Sequence, residues 1–239
     1  MNTSYISTGI EYLDNLLGQP LIGDNLVWEV EAGTYIDQFV EKFVYHSLES
    51  GHNVVYVSFN RSPMTMSQKF LKLPNLNNLT LLDCFTSGKG NNDRAFTRFY
   101  ETDGNHLVNQ SIRVDNPMDI SHFREVLNLL EEEKGEGALY VFDSLTGMQD
   151  IWGDETSTYR FFTYSCPRLY DLKTVAYWIL EKEAHSATFR ANLRHVTQVA
   201  IDIFRTENQL FLKVDKCEGR FTHDMYKPQR FELLGDEIV

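Results

Sequence analysis

The pattern of apolar and polar residues in the first quarter of the chain predicts a buried strand followed by an amphipathic helix. Residues 23–30 form the largely apolar run GDNLVWEV, which is typical of a buried strand. After a turn over residues 31–34, apolar side chains recur at helical spacing, at Ile36, Phe39, Val40, Phe43, Val44 and Leu48. The first amides of a helix have no partner within it and can bind an anion. Residues 23–51 therefore predict the frame of a phosphate-binding loop.

Strand and helix patterns alternate along the rest of the chain. Further strands are predicted at residues 53–59, 79–83, 111–114, 138–144 and 174–180. A helix is predicted at residues 64–71, and Pro117 is expected in the first turn of another. Residues 196–204 and 210–214 predict an antiparallel hairpin. The whole chain, residues 1–239, is expected to form a single α/β domain, with a mostly parallel twisted sheet, helices on both faces and a C-terminal antiparallel hairpin.

The predicted turn lacks the side chains of a phosphate-binding loop. The pattern G-x-x-x-x-G-K-[ST] uses glycines to wrap the phosphates, a lysine to contact them and a hydroxyl to bind magnesium. Its four defined positions are occupied here by Val30, Tyr35, Ile36 and Asp37. A carboxylate near a phosphate oxygen adds about 1 to 4 kcal/mol of repulsion per charge pair. The sequence therefore argues against nucleotide binding in the usual pose and leaves no apparatus for phosphoryl transfer.

Segments spread over most of the chain match, in the same order, the motifs of one known family. Residues 8–18 read TGIEYLDNLLG, and the motif is TGIxxLDxLLG. The segment from Gly23 aligns without a gap with the family's strand and phosphate loop, and further matches are YVSF at 56–59, LYVFDSL at 139–145 and HVTQVAI at 195–201. These segments resemble KaiC-like domains, relatives of RecA. The resemblance implies a RecA-like fold, with residues 139–145 as its Walker B strand.

The resemblance also implies where a vestigial nucleotide site would lie. The aligned residues are Gly33, Thr34, Tyr35, Ile36, Asp37 and Asp143. Asp143 retains the Walker B position, whereas the two glutamates that polarise the attacking water fall on Asn60 and Arg61. If Asp37 and Asp143 face each other, they could hold a divalent cation without nucleotide. The alternative is that these carboxylates are exposed, cap a turn or pair with neighbouring groups.

A second candidate site is the only region with local positive character, between Glu181 and Val196. It contains Lys182, His185, Arg190 and Arg194, with His195 beside them. The resemblance places this interaction loop at the central channel of RecA-like rings and filaments, where recombinases contact DNA. Basic side chains on a solvated surface helix are the more ordinary interpretation. The net charge of −12 and the pI near 5.0 disfavour binding of nucleic acid.

Other features exclude several classes of protein. Cys84, Cys166 and Cys217 are far apart and outside any C-x-x-C spacing, so reduced thiols in a cytoplasmic protein are expected and a zinc site is not. No apolar segment is long enough to span a bilayer, and the first residues do not resemble a signal peptide. The glycines around Lys89 are not preceded by the frame of a phosphate loop, and residues 86–92 are predicted to form a mobile surface loop.

Three functions follow from these observations. The first is a non-catalytic regulatory or scaffolding protein that self-associates or binds a related active RecA/KaiC-like ATPase, with no cofactor expected. The second is an ATP-binding protein or ATPase with an unorthodox pocket, in which ATP and magnesium would bind. The third is a recombinase-accessory protein that binds single-stranded DNA through the interaction loop, and the net charge makes it the last choice.

Overall fold

The computed structural model describes residues 5–101, 110–235 and 237–238. Its main element is a nine-stranded sheet with the strand order β4-β3-β2-β5-β6-β1-β7-β8-β9. The strands are β1 Asn25–Val30, β2 Val54–Ser58, β3 Leu79–Asp83, β4 Ser111–Arg113, β5 Leu139–Asp143, β6 Val175–Glu181, β7 Val199–Thr206, β8 Gln209–Cys217 and β9 Gln229–Phe231. The strands from β4 to β7 in this order run parallel, whereas β8 is antiparallel to β7 and β9 is antiparallel to β8. A separate antiparallel hairpin joins β10 Leu233–Leu234 to β11 Glu237–Ile238.

Helices cover both faces of this sheet. They are α1 Glu11–Leu17, α2 Ile36–Glu49, α3 Pro63–Phe70, α4 Arg94–Thr97, α5 Ile120–Lys134, α6 Leu145–Trp152, α7 Glu155–Asp171 and α8 Ala187–Val196. One apolar core lies between the sheet and α1, α2 and α3, and a second lies between the sheet and α5, α6, α7 and α8. Because successive side chains of a strand point to opposite faces, Trp28 of β1 enters the first core and Val27 enters the second.

These observations confirm the predicted α/β architecture. The predicted strand at 23–30 and the helix from Ile36 correspond to β1 and α2, and the predicted hairpin corresponds to β7 and β8. Continuous apolar runs were sufficient to predict these strands, because central parallel strands are buried on both faces of the sheet. All residues of β1, β2 and β5 are indeed buried.

Two local predictions were wrong. Pro117 does not open α5, which begins at Ile120 because the carboxylate of Asp119 accepts hydrogen bonds from the amides of Ser121 (2.9 Å) and His122 (3.3 Å). Residues 86–92 form the predicted loop, and Lys89, Asn91 and Asn92 are exposed, but the loop does not lie wholly on the surface. Thr86, Ser87 and Gly88 are buried, and the amide of Thr86 donates to Asp83 at 3.0 Å. The loop is thus packed against the end of β3.

Within residues 5–101, 110–235 and 237–238, no helix combines the length and the apolarity that are needed to cross a membrane.

Candidate functional site

The turn between β1 and α2 closes on itself. Gly33 and Tyr35 adopt positive φ angles of 79° and 63°, a conformation that is unusual for a tyrosine. The amide and hydroxyl of Thr34 both donate to the carbonyl oxygen of Glu31, at 3.2 and 2.6 Å. The guanidinium of Arg205 donates to the carbonyl oxygen of Gly33 at 3.1 Å. This turn therefore presents carbonyl groups to a cation, whereas a phosphate-binding loop presents amides to an anion.

The first turn of α2 carries a carboxylate between two cations. Nη2 of Arg61 lies 2.7 and 2.8 Å from the two oxygens of Asp37. Nζ of Lys69 lies 3.2 Å from Asp37 and 3.2 Å from Glu41. Burial disfavours ionisation of Asp37, but Lys69 and Arg61 outweigh it and hold the pKa of this carboxyl below its ordinary value. Beside it, Ile36 packs against the first apolar core and supplies no charge.

Asp143 ends β5 and is 4% exposed. The hydroxyl of Tyr56 donates to its Oδ2 at 2.7 Å, and Nη1 of Arg61 lies 3.6 Å from the same atom. Burial raises the pKa of Asp143, and Arg61 and Tyr56 offset that effect only in part. Asp37, Arg61, Lys69 and Asp143 are called the Arg61 cluster below.

Asp37 and Asp143 were predicted to face each other, and the guanidinium of Arg61 lies between their carboxylates. The single guanidinium of Arg61 contacts both residues. Within residues 5–101, 110–235 and 237–238, no group of three or more His, Cys, Asp or Glu side chains is arranged to hold a metal ion. A divalent cation at this place would have to displace the guanidinium, so the metal site stays a prediction that this geometry does not favour.

The C-terminal part of the chain packs against the beginning of α2. The rings of Phe39 and Phe231 meet edge to face at 5.2 Å. The side chain of Gln38 donates to the carbonyl oxygen of Gly235 at 3.3 Å. Residues near the C-terminal end of the described chain therefore lie beside the turn at which a phosphate-binding loop would hold its ligand.

Comparisons with known proteins bear on the fold. No family model and no curated protein matches this sequence. Among solved structures, the crystal structure of a KaiC-like protein from the hyperthermophilic archaeon Pyrococcus horikoshii OT3 is similar over 99% of this chain and 98% of that chain, with a TM-score of 0.66. This chain has a KaiC-like RecA fold. The two sequences are 14% identical, so the similarity concerns the fold and does not extend to activity.

The Arg61 cluster lies at the carboxyl ends of the parallel strands β2 and β5. Ser58 and Asp143 are register partners at the carboxyl ends of β2 and β5, and open α/β sheets bind their ligands outside these ends. A tight turn positions Arg61, because the hydroxyl of Ser58 donates to the carbonyl oxygen of Arg61 at 2.9 Å.

A second polar network occupies the same edge and was not predicted. Nζ of Lys89 lies 2.6 Å from Oδ1 of Asn60 and 2.5 Å from a carboxylate oxygen of Asp150. The side-chain amide of Asn60 donates to the hydroxyl of Ser144 at 2.9 Å. That hydroxyl in turn donates to a carboxylate oxygen of Glu181 at 3.2 Å. The sequence marks Asn60 only as a position at which the family has a glutamate. No local pattern links Asn60 to Lys89, because the two residues are brought together only by the path of the loop after β3.

The predicted interaction loop is mostly helix α8, and its arginines contact the sheet. Arg194 binds both carboxylate oxygens of Glu29, with Nη2 2.6 Å from Oε2, and Nη1 of Arg190 lies 3.4 Å from Oε2. Glu29 is 1% exposed and belongs to β1. Glu29, Arg190 and Arg194 are called the Glu29 cluster below. Arg194 also lies 3.3 Å from Asp215, so both arginines have carboxylate partners within the chain.

The two other residues of the interaction loop also have partners within the fold. Nζ of Lys182 lies 2.5 Å from a carboxylate oxygen of Asp202. Nε2 of His185 lies 2.9 Å from the hydroxyl of Thr146, and its Nδ1 lies 3.7 Å from Glu155. Burial lowers the pKa of His185, although Glu155 opposes this effect. The interaction loop remains a prediction, with fewer free charges than the sequence suggested.

Proposed function

We propose that this KaiC-like protein is non-catalytic and acts by associating with other proteins, as a regulator or scaffold. The partner is a second copy of this chain or a related active RecA/KaiC-like ATPase. The observation that carries the proposal is the position of Arg61, whose guanidinium lies between Asp37 and Asp143. No nucleotide cofactor is needed to balance the charges at this place.

The charge balance of the Arg61 cluster supports this proposal. A nucleoside triphosphate with magnesium requires cations at the phosphates and a hydroxyl or carboxylate at the metal. Here the nearby cations Arg61 and Lys69 already pair with carboxylates, and Ile36 supplies no ammonium group. An incoming triphosphate would have to break these ion pairs and approach the carboxylate of Asp37, with the repulsion given above.

A retained fold without this chemistry is consistent with an interaction role. The sheet and both apolar cores are complete, and the buried strands keep their large side chains. A scaffold needs a stable surface and no reaction centre, and one fold can support many such roles.

The test is calorimetric titration with ATP, ADP and GTP, with and without magnesium, on the full chain. We expect no binding heat at high micromolar nucleotide. Light scattering on the same sample should give a mass above that of the monomer, or a monomer that gains mass only with a partner ATPase.

Two variants make the titration decisive. Asp143→Asn alters the Arg61 cluster, and Asp224→Asn changes an exposed carboxylate that pairs with Lys227. Saturable, magnesium-dependent binding that is lost in Asp143→Asn and kept in Asp224→Asn would contradict the proposal. It would favour the second hypothesis, an ATP-binding protein with an unorthodox pocket.

A further inference from the structure

A basic groove lies between α2 and α3, on the face of the first apolar core. Its volume is about 490 Å³, and its lining includes Glu41 beside Lys42, Lys69, Lys72, Tyr45 and Leu73. Among the described residues, the ammonium groups of Lys42 and Lys72 have no ion pair, whereas Lys69 belongs to the Arg61 cluster. Because Lys69 pairs with Glu41 in the lining, the described residues leave the groove with the two unpaired ammonium groups of Lys42 and Lys72, and these favour an acidic occupant.

Apolar surface accompanies this charge. The ring of Tyr45 is 44% exposed at the groove. Leu71, which directly precedes Lys72 in the chain and lies outside the lining of the groove, is 69% exposed. Exposed apolar side chains beside unpaired lysines are suited to a partner that combines carboxylates with an apolar residue.

Helix α5 presents such a surface on the opposite face of the sheet. Glu125, Leu129 and Glu132 follow one another at i, i+4 and i+7 and therefore lie on one side of the helix. All three are exposed, and Leu129 is 67% exposed. Within the part of the chain that the structure describes, neither Glu125 nor Glu132 has an ion pair. These three residues are called the α5 stripe.

We propose that the α5 stripe of one copy docks in the basic groove of a second copy. Carboxylates of Glu125 and Glu132 then meet Lys42 and Lys72, and Leu129 contacts the exposed apolar side chains at the groove. The inference deepens the proposed function, because it names the partner and the two surfaces through which this chain associates.

The placement of the two surfaces determines the kind of assembly. The groove belongs to helices over the first apolar core, and α5 covers the second core across the sheet. One copy can therefore bind a different neighbour through each surface. Such a head-to-tail contact forms a ring if the rotation closes and a filament if it does not.

The test uses two charge-reversal variants of the full chain. Lys42→Glu/Lys72→Glu reverses the groove, and Glu125→Lys/Glu132→Lys reverses the α5 stripe. Sedimentation of the wild type should show masses above the monomer at low salt and dissociation at high salt. Each variant alone should weaken association by about tenfold or more, because like charges then face each other. An equimolar mixture of the two variants should associate again, since each reversed surface meets its complement.

Controls separate this contact from effects of charge or misfolding. Lys173→Glu/Lys227→Glu changes the net charge as much as the groove variant does, at lysines that are 61% and 62% exposed, and it should associate as the wild type does. Leu129→Gln changes only the apolar part of the stripe and should also weaken association. Circular dichroism and melting temperature establish that each variant is folded.

Several results would overturn the inference. They are a monomeric wild type at every concentration, undiminished association of both charge-reversal variants, or a mixture that fails to associate again. Nucleotide titration of the same variants is a separate readout. Nucleotide binding would overturn the proposed non-catalytic function and leave the contact standing, whereas loss of the contact alone would leave the non-catalytic function and a different partner.

Discussion

The Glu29 cluster and the Arg61 cluster each bring arginine against a buried carboxylate of the sheet. The arginines pair with these two carboxylates to different extents. In the Glu29 cluster, Arg194 binds both carboxylate oxygens and Arg190 adds a third contact. In the Arg61 cluster, the guanidinium stays 3.6 Å from the buried Asp143 and makes its shorter contacts with Asp37.

This difference distinguishes a buried carboxylate with close ion pairs from one whose only ion pair among the described residues is at 3.6 Å. The contacts of Glu29 with the two arginines hold α8 against β1. Both carboxylate oxygens of Glu29 are already paired, so neither is available to a ligand. Asp143 keeps a raised pKa because burial outweighs the help from Arg61. Perturbed carboxyl groups at the carboxyl ends of strands are common at functional sites, so the vestigial nucleotide site predicted at Asp37 and Asp143 stays a prediction for the titration to test.

The largest effect is expected for Glu29→Gln. This change removes the carboxylate that Arg190 and Arg194 share and leaves Arg194 with Asp215 at 3.3 Å. Breaking a buried ion pair costs about 3 kcal/mol. The arginine side chains are 27% and 35% exposed, so the lower end of the usual range applies. Urea unfolding should report this loss in the free energy of unfolding. Asp224→Asn, at an exposed ion pair, should change it by no more than about 1 kcal/mol, and equal losses in the two variants would remove the proposed contrast.

A double-mutant cycle on Arg61 and Asp143 should give the next largest effect. Arg61→Met leaves the carboxylates of Asp37 and Asp143 without their shared guanidinium and should cost about 2 kcal/mol. In the Asp143→Asn background, the same change should cost less, because one of the two carboxylates is already gone. Chemical denaturation of the four proteins gives the coupling energy. Strictly additive losses would mean that the 3.6 Å contact contributes nothing.

The pH dependence of His185 tests the region before α8. Its pKa is lowered from 6.5 because the ring is buried. As pH falls below this value, the unfolded chain takes up the proton first, so the folded state loses stability by at most about 1.4 kcal/mol per pH unit. The wild type should therefore lose more stability than His185→Gln between pH ~7 and pH ~5. Parallel curves for the two proteins, from urea unfolding at several pH values, would contradict the burial effect.

The smallest expected signal concerns nucleic acid. The arginines of the Glu29 cluster are engaged with the sheet, and the net charge of −12 repels phosphates. Fluorescence anisotropy with a labelled single-stranded oligonucleotide should show no binding. Salt-sensitive binding that disappears in folded Arg190→Ala and Arg194→Ala variants would instead support the recombinase-accessory hypothesis.

The sequence by itself determined most of the secondary structure. Buried strands such as β1 and β5 appear as continuous apolar runs, and α2 appears as apolar residues at helical spacing. Both patterns report local burial, which a single segment expresses without knowledge of its neighbours. The start of α5 was mispredicted because the side chain of Asp119 caps the helix, so the first turn begins after Asp119 and not at Pro117.

Only the tertiary structure decided which charges meet. The sequence identified Asp37, Asp143, Arg190 and Arg194 as candidates, but it did not place Arg61 between the first two or Glu29 beside the last two. Glu29 and Arg194 are separated by 165 positions in the chain. Ion pairs over such separations depend on strand order and helix placement, which collective packing of the apolar cores sets, so no local pattern of charges encodes them.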